Sequence, residues 1–205
     1  MRLRWIALTL GALVVVILFA FPVWWPALNR RVEEEAFPGL SQLPAEERAA
    51  IQAIAVENRA LAQACIDAAL AGPVVVPEAD QAMPLMLGPT VYATGEFTTI
   101  DAVRRASGEV TLYQQADGSW VLRFEDFEAH NGPQLHVFLS AHPQPRTPDQ
   151  LREQALGLDL GPLQGTVGAQ NYLLPAEIDM SFVRSVVIYS VSYQTVFSSA
   201  QLIPQ

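Results

Sequence analysis

The sequence predicts a mainly β protein, an antiparallel β-sandwich or barrel-like domain preceded by a transmembrane helix and an Ala-rich helix. Three observations carry that reading. Residues 5–28 run for 24 positions without a charge, residues 44–71 repeat apolar side chains at helical spacing, and from residue 91 the apolar period falls to two between turn residues. The chain is therefore divided into a membrane anchor at 1–31, an Ala-rich helix and Pro-rich strap at 32–90, and a β domain at 91–205.

A helix over residues 5–28 reaches roughly 36 Å, against roughly 30 Å of bilayer hydrocarbon. Arg2 and Arg4 precede the run, Arg30 and Arg31 follow it, and Trp24 and Trp25 stand where an interfacial aromatic belt belongs. The competing reading is a cleaved signal peptide, which needs small residues just before the cut. Phe19, Phe21, Trp24 and Trp25 supply them poorly. Positive charge on the N-terminal side, with Glu33, Glu34 and Glu35 beyond the run, places the N-terminus in the cytoplasm and the C-terminal domain outside it.

Residues 44–71 begin with Pro44, Glu46 and Glu47, which suit a first helical turn, and end before Gly72-Pro73. Ile51, Ile54, Asn58, Leu61, Cys65 and Ala68 recur three and four apart, a heptad seam with Asn at an a-like position. Such a seam would make a weak homodimer through the 44–71 helix; the alternative is an amphipathic helix packed on its own domain. Cys65 lies on the apolar stripe and reads as a small buried hydrophobe. Residues 72–90 hold four Pro and two Gly, the composition of an extended strap. The apolar clusters at 74–76 and 83–87 predict that parts of it lie against something.

Strands are predicted at 91–97, 109–115, 119–126, 134–140, 171–174, 186–191 and 196–202. Asp117-Gly118 is a hairpin turn between two of them. Trp120, Leu122 and Phe124 share one face, opposite Val121, Arg123 and Glu125, and Leu135, Val137 and Leu139 repeat the alternation. Thr147-Pro148-Asp149-Gln150 opens one short helix, with Thr as N-cap and Pro at the first helical position.

Composition narrows the function. The chain has no Lys, and beyond residue 31 its eight arginines face 21 acids, which argues against a nucleic-acid partner. One Cys excludes an internal disulfide framework and a thiolate-rich metal site. No nucleophile elbow, phosphate-binding Gly-Lys loop or zinc-protease motif occurs, so no catalytic residues are assigned and the chain reads as a non-enzyme. Glu125 and Asp126, adjacent on a strand, are poor candidates for a cooperating acid–base pair. Of the three His, His130 sits in a turn and His136 alternates with Leu135 and Val137. Either imidazole is a candidate haem or metal ligand, set against the plainer reading of hydrogen-bonded His.

Several phrases occur in order: Gly95-Glu96-Phe97, Gly108-Glu109-Val110, Asn131-Gly132-Pro133 leading into Leu135-His136-Val137, Leu160-Gly161-Pro162-Leu163-Gln164-Gly165, and Val186-Val187-Ile188-Tyr189. Over residues 91–205 this order resembles the electron-transfer DM-thirteen domain, a β-rich extracytoplasmic module that stands alone in bacterial membrane proteins. The resemblance implies a β-sandwich and a proposed chemistry resting on one Cys directly after the Val-Val-Ile-aromatic strand, as free thiol or as ligand to a group such as haem. Here that position is Ser190, with Tyr193 and Phe197 following in register. A hydroxyl is neither a soft ligand nor a redox couple. Cys65 could replace the thiol only if the preceding helix folded back onto that strand, which the sequence does not indicate.

The function expected from these observations is a membrane-anchored, extracytoplasmic accessory or binding module of a bacterial cell envelope, without catalysis of its own. Its partners would be the lipid bilayer through residues 5–28 and an unidentified envelope component, with no cofactor. The alternative is a redox protein holding haem or metal through His130 or His136.

Overall fold

The computed structural model describes residues 36–152, 157–174 and 176–205. The predicted membrane segment at 5–28 lies outside them; among the described residues no helix is long and apolar enough to cross a membrane. The chain divides into two compact units, Met1–Pro44 and Ala45–Gln205. The described part of the first contains a single 3-10 turn, Leu40–Gln42, entered through Gly39 at φ 85°.

The second unit opens with two helices where the sequence predicts one. Helix α1 spans Ala45–Glu57, with Glu46 and Glu47 favourably placed in its first turn. At Asn58 the backbone leaves the helical region (φ −146°, ψ 94°), and the side chain accepts a hydrogen bond from the Leu61 N–H at 3.0 Å. Asn58 is thus the N-cap of α2, Arg59–Ala71, and not a coiled-coil seam residue. The reason is local: a short amide side chain competes for backbone donors and favours caps over helix interiors. Ile51, Ile54, Leu61 and Cys65 are all buried within the chain itself. The continuous stripe read as a dimer seam is therefore interrupted and covered.

Residues 72–89 form the expected strap, with one helical turn, α3, at Glu78–Gln81. Val76 N–H donates to Val167 O at 2.8 Å, and Thr166 N–H to Val74 O at 2.7 Å. Val76 is buried by this contact, whereas Met83, Leu85 and Leu87 face solvent.

Nine strands follow: β1 Thr90–Thr98, β2 Ala106–Gln114, β3 Trp120–Ala129, β4 Leu135–Ser140, β5 Gly157–Pro162, β6 Gln170–Leu174, β7 Ser185–Ser190, β8 Thr195–Gln201 and β9 Ile203–Pro204. They form one antiparallel, nearly closed barrel-like sheet in the order β5-β4-β7-β8-β1-β2-β3-β6, with β9 on β1. Strand β1 joins its two halves, pairing with β2 and β9 along most of its length and with β8 at Phe97 and Thr98. The Asp117-Gly118 hairpin forms as predicted, with Gly118 at φ 87°. Thr147 caps the helical turn α4, Pro148–Leu151, by accepting from Gln150 N–H at 3.3 Å. Strands β5 and β9 were not predicted. Gly157, Gly161 and Pro162 in β5 read as turn residues, but an edge strand tolerates them.

The interior is aromatic. Phe124 lies 5.0 Å from Phe97, 5.1 Å from Phe127 and 5.5 Å from Tyr172, ring centre to ring centre. Trp120, Leu122 and Phe124, predicted to share one face, are all buried. Val121 and Arg123, on the opposite face, are buried as well. The strap explains Arg123: its guanidinium donates to Gln81 O (3.2 Å) and to Asn171 Oδ1 (2.9 Å). A smaller cluster of Leu151, Val187, Tyr189 and Val196 fills the outer side of the β4-β7-β8 sheet, under Phe138 and Ile100.

Candidate functional site

Ser190 is the last residue of β7 and lies opposite Leu135 on β4 and Thr195 on β8. It is fully buried, and its hydroxyl donates to Pro133 O at 2.7 Å. The Pro133 loop is pressed close: a Cβ on Gly132 would stand 2.5 Å from the ring of buried Phe197. Tyr193 occupies the β7–β8 turn, half-buried, and its carbonyl accepts from Thr195 Oγ1. In the same turn Gln194 adopts a positive φ of 49°, and the Ser192 hydroxyl donates to Gln134 Oε1.

The loop leading to Pro133 ties this end of the sheet to the helices. His130 N–H donates to Arg105 O, its Nε2 lies 3.4 Å from a Glu47 carboxylate oxygen, and its Nδ1 lies 3.0 Å from Asn131 O. Asn131 Nδ2 donates to Ala68 O (2.9 Å) and Gly72 O (2.8 Å), two carbonyls at the end of α2. Leu61 of α2 lines one cleft with Arg104 and Thr195, the cross-strand neighbour of Ser190. The helix carrying Cys65 therefore does fold back over this end, against the sequence expectation. The helix ends at Gly72 (φ 78°) and the docking of Val74–Val76 on residues 165–167 turns the chain; the sequence marks the break and the apolar cluster but not the surface on which it docks.

The arrangement seals Cys65. Its side chain is fully buried, and desolvation, aided by the Asp101 carboxylate and partly opposed by Arg104, pushes the thiol up to about 12. A thiol so held is protonated at neutral pH and a poor nucleophile. Burial also raises the Tyr172 phenol above its ordinary value of 10.0. Both groups keep protons that the unfolded chain gives up. Their stabilising contribution is complete below the unfolded value, near 9.0 for Cys65, and is lost as pH rises towards the folded one. We expect unfolding free energy to fall above pH 9 by up to ~1.4 kcal/mol per pH unit from Cys65 alone. Cys65→Ala should flatten that slope in urea titrations between pH 8.5 and 10.5; an unchanged slope would refute the assignment.

His136 stands apart. It shares the outer face of β4 with Phe138, and its Nδ1 lies 2.9 and 3.0 Å from the two carboxylate oxygens of Asp159 on β5. Asp159 also accepts from Gly161 N–H at 2.8 Å. A carboxylate on Nδ1 fixes the ring and its tautomer, leaving Nε2 outward. His130 and His136 thus have different carboxylate partners and do not converge with Ser190. Among the described residues no three His, Cys, Asp or Glu side chains gather where one metal ion would sit. Haem or metal does not fit the Ser190 position: its hydroxyl is buried and committed to Pro133 O, and both nitrogens of the nearby His130 face acceptors. Glu47, Asn131 and Asp159 were not singled out from sequence. Each is 23 or more residues from a side chain or backbone group it serves, although Asn131 also contacts its neighbour His130 and Asp159 also accepts from Gly161.

Ser190 is also tolerant by this geometry. Ser190→Cys should fold, since the two side chains are alike in size and Cys is commonly buried. Ser190→Ala should cost about 1 kcal/mol through the lost bond to Pro133 O, read as a small fall in the urea midpoint. A loss of several times that size would mean that the hydroxyl organises the whole loop.

A nearly closed antiparallel sheet, carrying its distinctive position at the end of β7 beneath an Asn-Gly-Pro loop, defines a β-rich domain of the type the sequence resembles. The chain belongs to the Electron transfer DM13 family, whose model matches residues 96–202. Solved structures similar to it include two variants of superoxide dismutase 5 from Candida albicans. They are 12% and 11% identical, cover 56% and 58% of this chain and 92% and 94% of their own, and give TM-scores of 0.37 and 0.36. No curated protein matches the chain.

Proposed function

We propose that this DM13-family chain is a membrane-anchored, extracytoplasmic accessory or binding module of a bacterial cell envelope, without catalysis or a cofactor of its own. The observation that carries the proposal is Ser190. Where the family resemblance implies a thiol, a hydroxyl is buried and donates to a backbone carbonyl. The single Cys, on the helix above, is buried with its thiol pushed up to about 12. Neither group is suited to cycling electrons at neutral pH. The uncharged run at 5–28 and the acidic remainder support anchoring with the domain outside the cytoplasm.

The test is voltammetry on the full-length Cys65→Ala protein isolated from its native membrane. The expected result is no reversible couple and no visible absorption from haem. A reversible couple that disappears in His136→Gln would overturn the proposal in favour of the second reading, a redox protein using histidine. One observation favours that rival: Asp159 holds His136 in the orientation that ligating imidazoles commonly adopt.

A further inference from the structure

Between two ties the strap lays a row of apolar side chains along the outside of the sheet. The first tie is Asn171 of β6, whose Nδ2 donates to Asp80 O and Ala82 O. The second is the β2–β3 hairpin, where Ala116 N–H donates to Leu87 O at 3.0 Å. From Met83 to Leu87 burial alternates. Pro84 and Met86 are partly covered, whereas Met83, Leu85 and Leu87 are 45%, 94% and 65% exposed. Leu173, two positions along β6 from Asn171 and on the same face, is also open to solvent. A single surface leucine needs no explanation, but a row of large apolar side chains marks a surface that another molecule covers.

The charge around the row says what kind of molecule that is. Glu78 and Asp80 precede it on α3, and Asp117 follows it at the hairpin tip. Glu177 joins Asp117 there, because a Cβ on Gly118 would lie 3.6 Å from that of Ala176. All four carboxylates are exposed. Arg123, the guanidinium that reaches the strap, is buried and engaged with Gln81, Asn171 and Glu125. The apolar row is thus flanked by negative charge at both ends.

We propose that the strap docks a basic amphipathic helix of a partner protein. Outward side chains two apart on an extended chain stand about 6.6 Å from one another, close to the rise of about 6 Å between i and i+4 on a helix. The apolar stripe of such a helix covers Met83, Leu85 and Leu87, and Lys or Arg at its ends meets the flanking carboxylates. Met83 and Met86 suit this role, since thioether side chains adapt to an incoming surface. The same charges disfavour the other occupants of an apolar face. A second copy would set like charges against each other. A bilayer surface is held by Lys, Arg and Trp beside the apolar residues, and acids stand here instead. The surface gives the binding-module reading a partner chemistry and rests on that reading for its role; loss of helix binding would leave the voltammetric result unchanged.

The experiment is methionine-methyl NMR of the full-length protein in phosphatidylcholine nanodiscs, titrated with a Leu/Lys peptide patterned at helical spacing over about four turns. The Met83 methyl signal should shift saturably, while that of Met180, buried in the same domain, stays in place. Leu85→Ser should weaken binding about tenfold or more, the scale of one buried leucine. Leu85 is almost fully exposed, so the variant should fold and keep the Met180 signal. The double substitution Asp80→Asn with Glu177→Gln should weaken binding by a smaller factor. Val56→Ser, at an exposed position on α1, should change nothing. A shuffled peptide of the same composition that shifts Met83 equally would reveal diffuse attraction to an acidic surface and overturn the proposal. Broadening of Met83 by a paramagnetic lipid before peptide is added would overturn it in favour of the bilayer. A Met83 shift that grows with protein concentration alone would overturn it in favour of a second copy.

Discussion

Gly95→Ala should lower the melting temperature by about 10 °C, which corresponds to about 3 kcal/mol or more in a unit of this size. Gly95 lies on β1 just before that strand passes from β2 and β9 to β8. A Cβ there would stand 2.2 Å from the Gln201 carbonyl oxygen and 3.0 Å from its carbon. Both are backbone atoms, so no rotamer change relieves the clash. Strand β8 or β1 must move at the seam that joins the two halves of the sheet, an overpacking of backbone against backbone. The pairs Phe97↔Ala200 and Thr98↔Ser199 are the first to loosen, and they hold Phe97 in the aromatic interior. Gly157→Ala is the control: its Cβ would meet nothing closer than 3.6 Å, and its melting temperature should match wild type. If Gly95→Ala melts with Gly157→Ala, the junction at β1 is not what holds the two halves of the sheet together.

The seven strands predicted from sequence are the ones whose apolar residues alternate in runs, because one face of each meets the aromatic interior. The alternation is visible locally and needs no knowledge of the partner. Strand β5 escapes it because Leu158 and Leu160 are flanked by glycines and Pro162, and at an edge nothing forbids those residues. Arg123 escapes for the opposite reason. It alternates properly onto the face opposite Leu122 and Phe124, and only the strap, some 40 positions away in sequence, buries it there. Asn58 shows a third kind of miss. Its spacing fits a heptad, but cap and seam are told apart by backbone conformation, which the spacing does not contain. For the site, the special standing of Ser190 came from resemblance alone. The alternation of Val186, Ile188 and Ser190 puts the three on one strand face, but every residue of β7 is buried, so burial alone does not set that face apart. The carboxylates that hold His130 and His136 come from α1 and β5, contacts that long-range packing alone creates.

Asn131→Ala should release the helical hairpin from the sheet while leaving the sheet folded. Its Nδ2 makes two hydrogen bonds, to Ala68 O and Gly72 O, which otherwise lie among the unsatisfied carbonyls at a helix C-terminus. Each bond contributes about 1 kcal/mol, and both vanish together. The loss falls on one junction, so it favours local opening of α1 and α2 more than global unfolding. Cys65 is the natural reporter. In the closed form its thiol is buried and pushed up to about 12, so reaction with a disulfide reagent at pH 8 requires opening. A loss of ~2 kcal/mol in the closing equilibrium should speed labelling by about tenfold or more. Asn131→Asp keeps the shape but turns a carboxylate towards the same two carbonyls, and should label at least as fast. Amide exchange in β3, β4 and β7 should stay slow in both variants, because their ladders do not involve the hairpin. Labelling of Asn131→Ala at the wild-type rate would mean that the Glu47 contacts with His130 and Arg105 suffice to hold the hairpin down. The double substitution with Glu47→Gln separates the two anchors: if Asn131 is the principal one, the second change adds little to the labelling rate.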